Sequence, residues 1–236
     1  MGYKKLVRFA AIKTFANVLE YPEGMAGKWH RHFGNNHPIV LELACGKGEY
    51  TLGLAAMYPK KNFIGIDIKG NRIYVGAKKA LETGLHNAAF IRTQIGMLAQ
   101  YFTPGEVSEI WLTFPDPQLR GAKIKKRLTH PQFLQVYQQV MVPDGFVHLK
   151  TDSPKLFRFT QLVTELYRLP LVIVFENVYA HNPSPELSIK THYEGLDIAG
   201  SNCIFYLKFQ LSKTADFISP VLAKLLKDAE QDLPIT

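Results

Sequence analysis

The chain has 236 residues, 47% of them hydrophobic, and a formal net charge of +8 from 28 Lys+Arg against 20 Asp+Glu. That is enough apolar material for one α/β-sized core, which excludes a disordered tail; two cysteines, Cys45 and Cys203, exclude a disulfide framework and fit reduced thiols in a cytoplasmic protein. No apolar run reaches membrane-spanning length and no secretory leader is legible.

Residues 1–37 read as a basic N-terminal extension packed on the domain, too short for a core of their own. A single domain is expected over 38–236. Pro38–Leu43 reads as a buried strand, and Glu49–Tyr58 as a short helix stopped by Pro59. Asn62–Ile66 is a second strand ending at Asp67. The spacing of Ile73, Ala77 and Leu81 predicts a helix over Asn71–Thr83, with Gly84 as its C-terminal stop. Strands follow at Ala88–Arg92 and Glu109–Thr113, then a helix at Pro131–Val140 and a strand at Phe146–Lys150. Ser153-Pro154 has the form of an N-cap and first helical residue, opening a helix to about Tyr167. Leu171–Glu176 and Cys203–Gln210 complete seven expected strands, and the tail from Thr214 offers a short amphipathic helix with Phe217, Val221 and Leu225 on one side. Alternating strands and helices imply an α/β fold, a mainly parallel sheet with helices on both faces.

Two loops at strand ends carry chemistry. Glu42-Leu-Ala-Cys-Gly-Lys-Gly48 joins the first strand to the first helix; Gly46 and Gly48 permit a tight turn and close approach of a ligand to the backbone. Asp67, nineteen residues beyond Gly48, is placed to accept from ribose hydroxyls. An acid at Glu42 favours a cationic ligand over a pyrophosphate, and S-adenosylmethionine is such a ligand. The second loop is Phe114-Pro-Asp-Pro117, where prolines on both sides end the strand and fix the Asp116 carboxylate. The basic run Lys123-Ile-Lys125-Lys126-Arg127 follows. No acid occurs within 117–143, nor within 1–19, which hold Lys4, Lys5, Arg8 and Lys13. Two acid-free basic blocks point to a polyanion such as nucleic acid. His148 reads as a packed strand residue, Cys45 as a loop filler, and no Cys/His spacing indicates zinc.

In order along the chain, Glu42–Gly48, Gly65-Ile-Asp-Ile68, Phe114–Pro117, Lys126-Arg-Leu-Thr-His-Pro131, His148-Leu-Lys-Thr-Asp152 and Thr191-His-Tyr-Glu194 resemble the bacterial tRNA (guanine-N7-)-methyltransferases from about Lys4 to Phe209. The resemblance implies a Rossmann-like class I methyltransferase fold, S-adenosylmethionine as cofactor, and a guanine in the tRNA variable loop as substrate. It implies a monomer or homodimer with no metal. Carried over by position, Glu42, Gly46, Gly48, Asp67, Gln94, Ile95 and Asp116 contact the cofactor, Asp116 being the acid at the catalytic position. Arg120, Asp152, Thr191, His192, Tyr193 and Glu194 serve the substrate, and Lys123, Lys125, Lys126 and Arg127 the RNA backbone. The chain departs from the pattern at Ala44, where a glycine is usual and a side chain requires negative φ. Further departures are Asp67 for a glutamate, Gln94 for an acid, and Gln118-Leu119 for Trp-Pro. The same residues also admit a class I methyltransferase acting on a small molecule, or a non-catalytic tRNA-binding relative.

Overall fold

The computed structural model describes residues 3–180, 182–196, 200 and 202–231; the side chains of Lys4 and Lys5, half of the first basic block, lie outside what is described. Eight strands form one sheet: β1 (Val18–Glu20), β2 (Ile39–Leu43), β3 (Asn62–Asp67), β4 (Ala88–Arg92), β5 (Val107–Thr113), β6 (Met141–Thr151), β7 (Leu171–Phe175) and β8 (Phe205–Gln210). Their order is β1-β4-β3-β2-β5-β6-β8-β7, parallel except that β8 runs against both neighbours.

Every expected strand is present, and the count of seven is corrected to eight. Val18–Glu20, inside the stretch read as an extension, pairs in parallel with Phe90–Arg92 at the sheet edge. Three residues carry too little periodicity to be seen alone; the open edge of β4 recruits them. Helix α1 (Tyr3–Ile12) precedes β1, and Trp29, in helix α2 (Trp29–Phe33), is fully buried, stacks on Phe102 and donates from Nε1 to the Tyr101 carbonyl at 2.9 Å.

Strand alternation divides the interior into two cores. Leu41, Ile64, Ile66, Ile110, Leu112 and Leu149 face helices α5 (Pro131–Val140), α6 (Pro154–Leu166) and α7 (Pro220–Gln231). Val40, Phe63, Phe90 and Trp111 face α3 (Glu49–Met57) and α4 (Gly70–Glu82). Ser153 caps α6 as expected, its hydroxyl accepting from Leu156 N–H at 3.2 Å. The tail helix forms, with a different inward face. Val221 and Leu225 are exposed, while Leu222, Leu226 and Glu230 turn to the body. The helix starts only at Pro220, so Phe217, though buried, does not set its phase.

Candidate active site at the strand ends

β2 and β5 are neighbours whose following chains leave in opposite directions, toward β3 on one side and β6 on the other. Such a switch point leaves a crevice beyond the strands' C-terminal ends. The loop after β2 is fixed from below: Cys45 N–H donates to the Ile66 carbonyl at 3.0 Å and Gly48 N–H to the Cys45 carbonyl at 2.7 Å. Asp67, at the end of β3, accepts from Gly46 N–H at 2.9 Å and from Lys69 N–H at 2.8 Å. Each carboxylate oxygen thereby keeps a free lone pair for a ligand hydroxyl. Gly48 has a different reason to be glycine. Its φ is +72°, and a Cβ there would stand 2.5 Å from the Phe90 ring. It serves packing beneath the loop rather than ligand approach.

Ala44 takes φ of +57°, so the expected negative φ is corrected. Phe114 (+48°) and Gln118 (+47°) are also left-handed. An L-residue there costs roughly 1–2 kcal/mol, and such strain gathers where a loop is held for function. Asp116 lies exposed between them, its Oδ1 accepting from Gln118 N–H at 3.0 Å. Around these loops lies a cavity of about 510 Å³ whose wall includes Ala44, Asp67, Phe114, Asp116, Asp152 and Tyr193. Its size falls within the roughly 300–1,000 Å³ of small-molecule sites. The wall also carries Lys69 and Arg72, so its three carboxylates outnumber its cations, which suits a cationic adenosyl ligand, and Asp67, already aimed by two backbone N–H groups, suits its ribose. The residues present therefore fit S-adenosylmethionine.

Several expected site residues stand elsewhere. Glu42 is buried outside the cavity wall. It accepts from Thr51 N–H at 2.7 Å, from the Thr51 hydroxyl, and from the Thr113 hydroxyl at 2.8 Å. Burial pushes its carboxyl up to about 7 despite those hydrogen bonds. It ties the start of α3 to the end of β5 beneath the site. Gln94, exposed, and Ile95 open a 3₁₀ turn (Ile95–Gln100) outside the wall, and Arg120 is exposed at the start of another (Gly121–Lys126). Lys123, Lys125 and Lys126 are exposed. Arg127 is not. It is fully buried, paired with Glu230 at 3.0 Å, and donates to the carbonyls of Pro117 (3.1 Å) and Gln118 (3.3 Å). Its role on the RNA backbone is thus corrected to a brace under the Asp116 loop. Glu230 lies more than a hundred residues away, so no local pattern announced this.

Of the Thr191–Glu194 segment, Tyr193 stands in the cavity wall and the other three do not. Tyr193 approaches Gly46, 3.6 Å from where a Cβ would be, and receives the Arg72 guanidinium on its ring. His192 is exposed, and the Thr191 hydroxyl accepts from Glu194 N–H at 3.1 Å. The Glu194 carboxylate is engaged by Lys150 at 3.0 Å and by the Tyr179 hydroxyl. Lys150 sits inside the His148–Asp152 motif, where sequence reasoning assigned it no task. A second cavity, about 500 Å³, opens on the sheet face, walled by Trp111, His148, Glu109, Lys61 and Tyr206 among others. His148 stacks on Trp111 with ring centroids 3.9 Å apart. Burial works to raise the Glu109 carboxyl, but its contacts with His148 and Lys61 win and hold it at about 2. Among the described residues, no cluster of His, Cys, Asp or Glu able to hold a metal and no helix long and apolar enough to cross a membrane occurs.

A mainly parallel sheet with a glycine turn after β2, a backbone-held acid at the end of β3 and an acid-lined crevice at the switch point define a class I methyltransferase. Solved structures agree on the fold: a 16S rRNA methyltransferase, KamB, aligns with TM-score 0.59 at 12% identity, covering 83% of this chain and 99% of that one. A single-residue mutant of the 16S rRNA (adenine(1408)-N(1))-methyltransferase from Catenulisporales acidiphilia, solved with cosubstrate SAM, aligns with TM-score 0.56 at 12% identity over 80% and 92%. A family model described as "Putative methyltransferase" matches residues 36–204. The tRNA (guanine-N(7)-)-methyltransferase of Bacteroides thetaiotaomicron is 47% identical over 89% of this chain and 87% of its own length. The chain belongs to the tRNA (guanine-N7-)-methyltransferase family.

Proposed function

We propose that this chain methylates N7 of a guanine in the variable loop of tRNA, with S-adenosylmethionine as donor. The observation that carries this reading is the convergence of Asp67, Asp116, Asp152 and Tyr193 on one crevice in a member of this family. Bound S-adenosylmethionine supplies an electrophilic methyl group on a sulfonium.

Guanine N7 already presents a lone pair, so the protein's work is orientation rather than deprotonation. Asp67 and the Gly46 loop hold the donor's ribose. Asp116 and Asp152, on loops after adjacent strands, accept from guanine N1–H and the 2-amino group, which identifies the base and aims N7. The same carboxylates stabilise the positive charge that grows on the base. Tyr193 closes the crevice over Gly46. Lys123, Lys125 and Lys126 face solvent beside the Asp116 loop and take tRNA phosphates. Cys45 is a buried thiol, in keeping with a cytoplasmic enzyme.

Incubation with labelled methyl donor and unmodified tRNA, followed by nucleoside analysis, tests the reading. Label should appear as 7-methylguanosine at one variable-loop position. Label in a small molecule, in another nucleoside, or nowhere overturns it.

A further inference from the structure

Lys150 is a buried cation on β6 that joins the two halves of the site. Its carbonyl accepts from Phe114 N–H at 2.8 Å, the first residue of the Asp116 loop. Its side chain, with no exposed surface, donates to the carbonyls of Leu187 at 2.8 Å and Ile189 at 3.0 Å, and to Glu194 Oε2 at 3.0 Å. An ammonium has three donors; these three acceptors lie within 3.0 Å, and the Tyr179 hydroxyl is a fourth, more distant one at 3.4 Å. The rings of Tyr50, Phe114 and Tyr179 surround it, with centroids 5.4, 5.7 and 5.6 Å from Nζ. Burial pulls this ammonium's pKa down and Glu194 pulls it back up. The three nearer acceptors all belong to one stretch, residues 187–194, which carries Tyr193 to the crevice.

We propose that Lys150 is a positioning residue that latches segment 187–194 against the Asp116 loop, and that Glu194 is the anchor of this latch rather than a ligand of the guanine. This rests on the guanine-N7 reading for its kinetic arm only. A free Lys150 would stand as an uncompensated cation next to a site built for a cationic donor and a cationic product. Glu194 cancels that charge, and Tyr179 fixes its other oxygen. Without the latch, Tyr193 is no longer held over Gly46.

Limited trypsinolysis of the full chain tests the latch without any substrate. Lys190 is exposed within the segment, and Lys78 in α4 is an exposed reference site. In Lys150→Met, cleavage after Lys190 should accelerate about tenfold, with cleavage after Lys78 unchanged, because only local opening becomes easier. Should Lys150→Met loosen the whole chain and expose both sites equally, Glu194→Gln decides: it keeps the segment's size and should still accelerate cleavage after Lys190 selectively. Unchanged cleavage there overturns the proposal. In methyl transfer, both variants should lower kcat by about tenfold with little change in KM for tRNA, and the double variant should be no slower than the slower single, since the pair acts as a unit. A raised KM in Glu194→Gln alone, or multiplicative losses in the double variant, would show that Glu194 touches the base directly.

Discussion

Two cavities of nearly equal volume, about 510 and 500 Å³, hold their acids in different ways. On the sheet face, Glu109 meets Lys61 at 2.5 Å, so the acid is neutralised by a side-chain cation, while His148, whose pKa burial lowers, stands 3.4 Å away. At the strand ends, Asp67 and Asp116 are held by backbone N–H groups, which orient a carboxylate and leave its charge to act on something else. Left-handed Ala44 and Phe114 line the strand-end cavity and not the sheet-face cavity. Paired charge on rigid strands is a structural solution; backbone-held charge on strained loops is a binding solution.

The difference can be broken from the side of the support. Arg127→Ala leaves Glu230 buried without this partner and removes the brace from Pro117 and Gln118. Stability should fall by about 3–5 kcal/mol, read by denaturant unfolding; a loss below about 1 kcal/mol would mean that solvent reaches the pair. Asp116→Asn should do the reverse. Turnover should drop at least about a hundredfold, near 3 kcal/mol of transition-state stabilisation, while the melting temperature stays put. A variant that melts early yet turns over normally would move Asp116 to the structural class.

Asp67→Ala should weaken donor binding by about 2 kcal/mol in calorimetry, since a charged hydrogen-bond acceptor is lost. Unchanged affinity in the folded variant would remove the ribose from Asp67. In the face cavity, Glu109→Gln should leave turnover alone and cost on the order of 1–2 kcal/mol of stability at pH 7, after discounting for partial exposure. The folded-state value of about 2 lies below the ordinary 4.5. Its contribution is therefore complete above about pH 4.5 and disappears as pH falls toward 2, so wild type and variant should converge in acid. The smallest effect is on the surface. Neutralising Lys123, Lys125 and Lys126 should flatten the salt dependence of tRNA binding by roughly one unit of log–log slope per lost contact, with stability and donor affinity unchanged. An unaltered slope would place the RNA path elsewhere.

Much of this protein was settled by short stretches of sequence. Apolar runs bounded by Gly, Pro and Asp marked the seven longer strands, and Ser153-Pro154 and Pro131 marked helix starts, because propensity and capping act within a few residues. The Gly46 turn, Asp67 and the proline-framed Asp116 were legible for the same reason, and the strand ends that carry them meet wherever a parallel sheet reverses its winding. What tertiary structure decided were the pairings between distant segments. Glu42 closed on Thr51 and Thr113, Arg127 went inside to meet Glu230, Lys150 took Glu194 and two carbonyls of the 187–189 stretch, and Val18–Glu20 joined the edge of β4. A charged side chain looks the same in sequence whether it will face water or a buried partner. Only the fold brings the partner within 3 Å and makes burial tolerable.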